Sequence, residues 1–177
     1  MQPDPLSEGD LCRLQARAAG DQRITAWIAL GAYAGFRAHE TARYDPRDLR
    51  GDTLRVLGKG GRVDYLPVPP VLAAALAPFS STTGPAWPVT RPDRVSHIIA
   101  AHARKAGVQM RYHQLRHRYG TQLYRTTRDL LLTMRLMRHT RATMTAGYAA
   151  LGDDDGRQAA NRLPGASPGE PLEGAIE

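Results

Sequence analysis

Hydrophobic residues recur at helical spacing along most of the chain. Leu11 and Leu14 fall on one face of a segment that Ser7 can cap, which is typical of an amphipathic helix. We expect the apolar runs 24–33 and 130–137 to be helical and to lie in the core. The full set of predicted helices comprises residues 7–20, 24–33, a short helix opened by Phe36 and Arg37, 70–77, 93–105, 113–126, 129–138 and 141–149.

Two shorter runs alternate apolar and polar residues instead. Residues 54–57 and 63–68 flank the glycine-rich segment Gly58–Gly61, as a two-stranded antiparallel ribbon requires, and Lys59 falls at the tip of that ribbon. Residues 80–89 are rich in Ser, Thr, Gly and Pro and are predicted to form a loop. The sequence therefore predicts a mainly α fold with one small antiparallel β-sheet, of the α+β class.

Charge is distributed unevenly along the 177 residues. The chain has a formal net charge of +7, with 22 basic and 11 acidic residues in 1–150, but 2 basic and 6 acidic residues in 151–177. A basic body of this kind indicates a partner with dense negative charge, and nucleic acid is the first expectation. The acidic stretch 152–177 is rich in Gly and Pro and lacks periodicity, so we predict a flexible C-terminal tail.

Several classes of protein are disfavoured by composition. Cys12 is the single cysteine, so neither an intramolecular disulfide nor a cysteine-rich zinc site is expected. The first residues do not resemble a secretion signal, and no apolar run reaches 18 residues. We therefore expect a soluble cytoplasmic protein, at the nucleoid or in a host cell, with no membrane partner and no cofactor.

Some polar residues stand out as candidates for chemistry. His113 and Arg116 are three residues apart near a predicted helix start, where both side chains and free backbone N–H groups suit an anion such as phosphate. His139 and Tyr148 are separated by a predicted helix junction, and the chain could turn back there to bring the phenol to that pocket. The candidates together are Arg37, Lys59, His113, Arg116, His139 and Tyr148.

Four short motifs resemble those of tyrosine recombinases, the phage integrase family. They are Gly35–Glu40 (GFRAHE), Gly58–Arg62 (GKGGR), His113–His117 (HQLRH), and His139 followed nine residues later by Tyr148, in the same order and at similar intervals. The resemblance covers residues 6–151 and implies a catalytic domain over 1–151. It further implies double-stranded DNA as substrate, a homo-oligomer that is a tetramer on synapsed DNA, and integration or excision of a mobile element.

The resemblance also implies a nucleophile and two proton-transfer groups. Tyr148 would attack a DNA phosphodiester without a metal, forming a 3′-phosphotyrosyl bond and releasing a 5′-hydroxyl. His113 would take the proton of the phenol, whose ordinary pKa of about 10 requires a base at neutral pH. Lys59 would protonate the leaving 5′-oxygen.

Three further residues would hold the phosphate oxygens. By the same resemblance, Arg37 and Arg116 would clamp the non-bridging oxygens through charge-assisted hydrogen bonds, and His139 would bond one of those oxygens. The family usually has a small residue, often Gly, before this histidine, whereas this chain has Arg138, which is expected to add a bulky cation beside the pocket. Members also usually carry a preceding helical DNA-binding domain, so a chain starting at Met1 with the catalytic portion is either a fragment or unusually short.

Other polar residues have a structural interpretation, and other functions remain open. Glu40 is expected to pair with an arginine and fix its helix. The four other histidines are expected outside the site: His39, His97, His102 and His117. The alternative functions are a catalytically inactive DNA-binding regulator of a recombinase, a type IB topoisomerase-like enzyme, and a basic domain that binds other nucleic acids, including RNA.

Overall fold

The computed structural model describes residues 5–58, 61–88 and 91–139, and most of these are helical. The helices are α1 (Glu8–Ala18), α2 (Gln22–Ala34), α3 (Ala38–Ala42), α4 (Pro70–Leu76), α5 (Pro92–Lys105), α6 (His113–Thr127) and α7 (Leu130–Met137). The strands are β1 (Leu49–Arg50), β2 (Thr53–Leu57) and β3 (Val63–Pro67), and short 3-10 helices cover Pro46–Asp48 and Ala77–Phe79. The predicted helices within the described residues are observed, with ends shifted by at most two residues.

Helix α2 runs through the centre of the core. The Asp21 side chain caps its first turn by accepting the Ile24 N–H, and Gly35 ends it in the left-handed conformation. Most of its residues are buried, as the Ala- and Leu-rich run predicted. Gly31 allows close packing against α6, because a Cβ atom there would lie 2.9 Å from the Leu115 Cβ.

The sheet has three antiparallel strands in the order β1, β2, β3. The sequence predicted only β2 and β3, and this was wrong because β1 spans two residues, too few to show alternation. In the β2–β3 pair, Leu54 lies opposite Leu66 and Leu57 opposite Val63. Leu54 and Leu66 point into the core, while Leu57 and Val63 are exposed. One face of the sheet therefore covers the helices and the other faces outward.

Hydrogen bonds from two aromatic side chains fix helix α3, although it has only five residues. The Tyr112 Oη atom lies 2.6 Å from Thr41 Oγ1 and donates to the Trp27 carbonyl at 3.1 Å. The Trp87 indole donates to the Thr41 carbonyl at 3.0 Å. Because all these groups are buried, α3 and the loop before it have a defined position against α2 and α6.

Helix α7 is less buried than its sequence suggested. Its apolar run was expected in the core, yet only Thr133 and Met137 are buried and the Leu131 side chain is 76% exposed. The helix stops at Met137 because Arg138 adopts the left-handed conformation. No helix in the described ranges is both long and apolar enough to span a membrane. The predicted hairpin tip at Lys59, the helix 141–149 and the tail 152–177 lie outside the described residues.

Candidate active site

The turn between α2 and α3 forms one wall of the site. Gly35 has a φ of 60°, which disfavours any residue with a side chain. A Cβ atom at this position would also collide with the ring of Tyr119. The turn leaves the carbonyl oxygens of Ala34 and Gly35 available to side chains from α6 and from the end of α7. The glycine of this turn is therefore a structural requirement as well as part of a sequence motif.

Arg37 is held at the N-terminus of α3 by Glu40. The Arg37 backbone N–H donates to Glu40 Oε2 at 2.7 Å, and its Nη1 donates to Oε1 at 3.1 Å. The Glu40 side chain is 1% exposed and the Arg37 side chain 31% exposed, so the guanidinium reaches solvent from a buried anchor. The expectation that Glu40 pairs with an arginine and fixes the helix is confirmed.

Arg116 lies in the first turn of α6 and is almost completely buried. Its Nη1 donates to the Gly35 carbonyl and its Nη2 to the Met137 carbonyl. One guanidinium therefore joins the α2–α3 turn, the start of α6 and the end of α7. This arrangement explains how residues from three distant parts of the sequence converge.

A third arginine, Arg138, enters the same cluster from the end of α7. Its Nη1 donates to the Ala34 carbonyl at 3.2 Å, and its Nη2 donates to the Gly35 carbonyl at 3.1 Å and to Glu40 Oε2 at 2.7 Å. Sequence reasoning placed this cation beside the pocket but predicted none of its contacts. The available signal was the departure from the family pattern, since a long cation stands where a small residue is usual.

The cluster has more positive than negative charge. Burial alone would raise the pKa of Glu40, but Arg138, the backbone N–H and guanidinium of Arg37, and Arg116 outweigh burial and hold this pKa below its ordinary value of 4.5. Glu40 is thus ionised at neutral pH, and it faces three guanidiniums. Among these four residues two positive charges are left in excess, which favours binding of an anion.

Two histidines border this cationic cluster and are neutral at pH 7. Burial, and then the charges of Arg116, Arg37, Arg138 and His113, lower the pKa of His139 to about 4. The pKa of His113 is lowered by loss of surrounding water and by Arg116, His117 and Arg37. Neutral imidazoles can accept a proton or donate one hydrogen bond to a phosphate oxygen.

Four of the six predicted catalytic residues thus lie around one point: Arg37, His113, Arg116 and His139. Lys59 and Tyr148 lie outside the described residues, so the catalytic roles of all six stay predictions. A cleft of about 740 Å³ opens beside α3 and is lined by His39 and Glu40 on one side and by Gly58 and Gly61 of the hairpin on the other. The chain therefore enters and leaves the hairpin tip at the rim of this cleft.

Two of the other histidines lie at different places in the fold. The His102 Nε2 atom lies 3.0 Å from the Leu14 carbonyl in the core, away from the cluster. His117 is closer than expected, since its ring lies 5.8 Å from that of His113. In the described ranges no three His, Cys, Asp or Glu side chains are grouped so that they could hold a metal ion.

Comparison with known proteins gives both sequence and structural matches. The tyrosine recombinase XerC of Chromohalobacter salexigens is 30% identical over 144 residues, which are 73% of this chain and 48% of XerC. The integrase of mycobacterium phage Brujita is 31% identical with a TM-score of 0.73. This match covers 90% of this chain and 57% of the integrase. This chain therefore spans about half the length of these relatives.

A third match shows the fold without close sequence similarity. The Tn1549 transposon integrase, solved in complex with transposon right end DNA, is 15% identical with a TM-score of 0.73. This match covers 92% of this chain and 67% of the integrase. No model of a known protein family matches the sequence. The two relatives at 30% identity or more and the shared fold agree with the motif resemblance. The chain is therefore similar in sequence to tyrosine recombinases and has the fold of their catalytic domain.

Proposed function

We propose that this chain is the DNA-cleaving and rejoining centre of a site-specific recombinase, acting on double-stranded DNA in the integration or excision of a mobile element. The observation that supports this most is the grouping of Arg37 and Arg116 with two neutral histidines around an excess of positive charge. The similarity to tyrosine recombinases and the DNA complex of the Tn1549 integrase are further support.

The reaction would be a metal-free transesterification. The Tyr148 hydroxyl oxygen attacks the phosphorus, a phosphorus–oxygen bond to the tyrosine forms, and the bond to the 5′-oxygen of the next nucleotide breaks. His113 takes the phenolic proton, and its lowered pKa suits this role because the neutral ring has a free lone pair. Lys59 gives a proton to the leaving 5′-oxygen, and the rest of the hairpin borders the cleft beside Glu40.

The cationic cluster would stabilise the transition state. Negative charge collects on the non-bridging oxygens when phosphorus is pentacoordinate, and positively charged donors fixed in a dry site lower its energy without reorganising. Arg37 is the better placed of the two arginines for direct contact, because its side chain is 31% exposed whereas Arg116 is almost fully buried. His139, neutral in the free chain, would donate one further hydrogen bond.

A covalent adduct tests the proposal. The chain is incubated with supercoiled DNA from its own genetic locus, the reaction is stopped with detergent, and protein-linked DNA is counted before and after protease treatment. The wild-type chain should give a protease-sensitive adduct and Tyr148→Phe none, although both bind DNA. Tyr124→Phe on α6 is the matched control, since it removes a phenolic hydroxyl from a residue outside the cluster, and it should react normally.

The remaining outcomes identify the alternatives. Clear DNA binding without any adduct from the wild-type chain would contradict cleavage and favour an inactive regulator. An adduct that leads only to relaxation, with no joining between two different duplexes, would indicate topoisomerase-like chemistry. Joined strands from two duplexes would support recombination and the proposed tetramer on synapsed DNA.

A further inference from the structure

Arg138 is an unusual residue for the position it occupies. Its φ of 54° is one of two positive values among the described non-glycine residues, and the other belongs to Arg128. The Arg138 side chain is only 3% exposed, and its Nε atom has no hydrogen-bond partner in the part of the chain that the structure describes. Each of these features disfavours the folded state, and a glycine would avoid all of them.

The contacts of Arg138 are shared with both predicted clamp arginines. The Gly35 carbonyl accepts from Arg138 at 3.1 Å and also from Arg116. Glu40 accepts from Arg138 at 2.7 Å through Oε2 and from Arg37 at 3.1 Å through Oε1. A change at Arg138 therefore alters an acceptor of each of the other two guanidiniums.

Arg138 also joins the residue before His139 to the opposite wall of the site. The backbone of Arg138 ends α7, and its side chain passes the Phe36 ring, with the guanidinium carbon 5.5 Å from the ring centroid, to reach the α2–α3 turn. The end of α7 is thereby bonded to the loop that carries Arg37. The position of His139 relative to Arg37 is then set by a guanidinium that is itself held on two sides.

From this geometry we infer that Arg138 is a positioning residue of this site: it fixes His139 and the two clamp arginines in the arrangement that receives the phosphate. The inference rests on the proposed function. A guanidinium is suited to the task because it can bond Ala34, Gly35 and Glu40 at once with a rigid planar fork. Lysine could reach one or two of these acceptors, and glycine none.

A second effect follows from the charge of Arg138. The groups that act on His139 are Arg116 from α6, Arg37 from the α2–α3 turn, Arg138 next to it, and His113 at the start of α6. Burial is the largest cause of the lowered pKa of His139, and all of these charges lower it further. Removal of Arg138 takes away one of these charges and loosens the end of α7, so the pKa of His139 should rise.

The test compares three variants of the whole chain. Arg138→Gly keeps the backbone conformation but removes the guanidinium, and Arg138→Lys keeps the charge but loses the fork. Arg128→Gly is the matched control, because Arg128 has the same φ of 54° and is exposed at the end of α6. The measurements are the His139 titration by NMR, the affinity for inorganic phosphate, and the single-turnover rate of DNA cleavage, all at a temperature where every variant is folded.

We expect Arg138→Gly to raise the pKa of His139 from about 4 toward 6.5 and to weaken phosphate binding. Its cleavage rate should fall by roughly 10- to 100-fold at unchanged DNA affinity, which is the size of loss that a misplacement of about 1 Å can cause. Arg138→Lys should be intermediate, and Arg128→Gly should match the wild type.

Two results would overturn the inference. One is cleavage by Arg138→Gly at the wild-type rate, and the other is a His139 titration in that variant that is the same as in Arg128→Gly. If the wild-type chain forms no adduct, the proposed function fails, whereas the titration and the phosphate affinity still decide whether Arg138 fixes His139.

Discussion

Glu40→Gln is the substitution that tests the electrostatic description of the cluster most directly. The carboxylate bonds Arg138 with both side chains at most 3% exposed, and a buried charge-assisted contact of this kind contributes about 1.5 to 3 kcal/mol. Its contact with Arg37 is nearer to solvent and contributes at most about 1 kcal/mol. Glutamine keeps the shape of the side chain but turns an N–H donor toward a guanidinium. We therefore expect Glu40→Gln to lower the unfolding free energy by about 2 to 4 kcal/mol.

The same substitution has a predicted pH dependence. Because the pKa of Glu40 in the folded chain is below its ordinary value of 4.5, ionised Glu40 stabilises the fold above about pH 4.5. That contribution is lost as the pH falls through the folded pKa. The difference in unfolding free energy between wild type and Glu40→Gln should therefore be largest near neutral pH and shrink in acid, while other carboxyls titrate in both proteins and cancel.

Chemical denaturation at several pH values measures this difference. Asp48→Asn is the matched control, since it makes the same change at an ion pair of 2.8 Å with Arg55 whose side chains are 27% and 46% exposed, and it should cost less than about 1 kcal/mol. Equal losses of unfolding free energy from the two substitutions at pH 7 would refute a stabilising buried ion pair between Glu40 and Arg138. A Glu40→Gln difference that stayed constant with pH would refute the assignment of its charge.

Two further predictions concern the turn and the neutral histidine. In denaturation, Gly35→Ala should lower the unfolding free energy by about 1 to 3 kcal/mol more than Gly51→Ala. Both glycines have φ near 60°, but of the two only Gly35 has a neighbour, the Tyr119 ring, where the added Cβ would lie. Equal losses of unfolding free energy in the two variants would show that backbone strain at positive φ, and not the contact with Tyr119, causes the effect. Inorganic phosphate should raise the pKa of His139 from about 4 in an NMR titration, because a nearby anion favours the charged ring; an unchanged pKa with saturating phosphate would place the anion elsewhere.

Local sequence rules predicted most of the fold but not all of its burial. Helical spacing located α1, α2 and α4 to α7 within two residues, because amphipathic periodicity and capping residues act over a few positions. Strand β1 was missed, since two residues carry no periodicity. The apolar run of α7 was wrongly assigned to the core, because spacing shows which residues share a face and not what covers that face.

The site was predicted through motif resemblance, and its internal contacts were not. Gly35 and Arg116 are 81 positions apart and Glu40 and Arg138 are 98 apart, distances over which sequence spacing contains no geometric information. The left-handed conformation of Arg138 was also unpredictable, because a glycine would usually signal it. Sequence therefore predicted the candidate catalytic residues, while the structure added the acceptors that hold Arg37 and Arg116.

The cluster is an electrostatic arrangement in which shared acceptors hold like charges close together. Three guanidiniums around one carboxylate repel each other, and two of them are nearly removed from water, so folding stability is lost in forming them. The Gly35 carbonyl and Glu40 limit that loss by accepting from more than one arginine each. In the proposed reaction, the phosphate would gain negative charge in its transition state and would then relieve the remaining repulsion most. Donors held in fixed positions need little reorganisation at that moment. The same excess charge that destabilises the fold is therefore what would make the cluster effective in the proposed phosphoryl transfer.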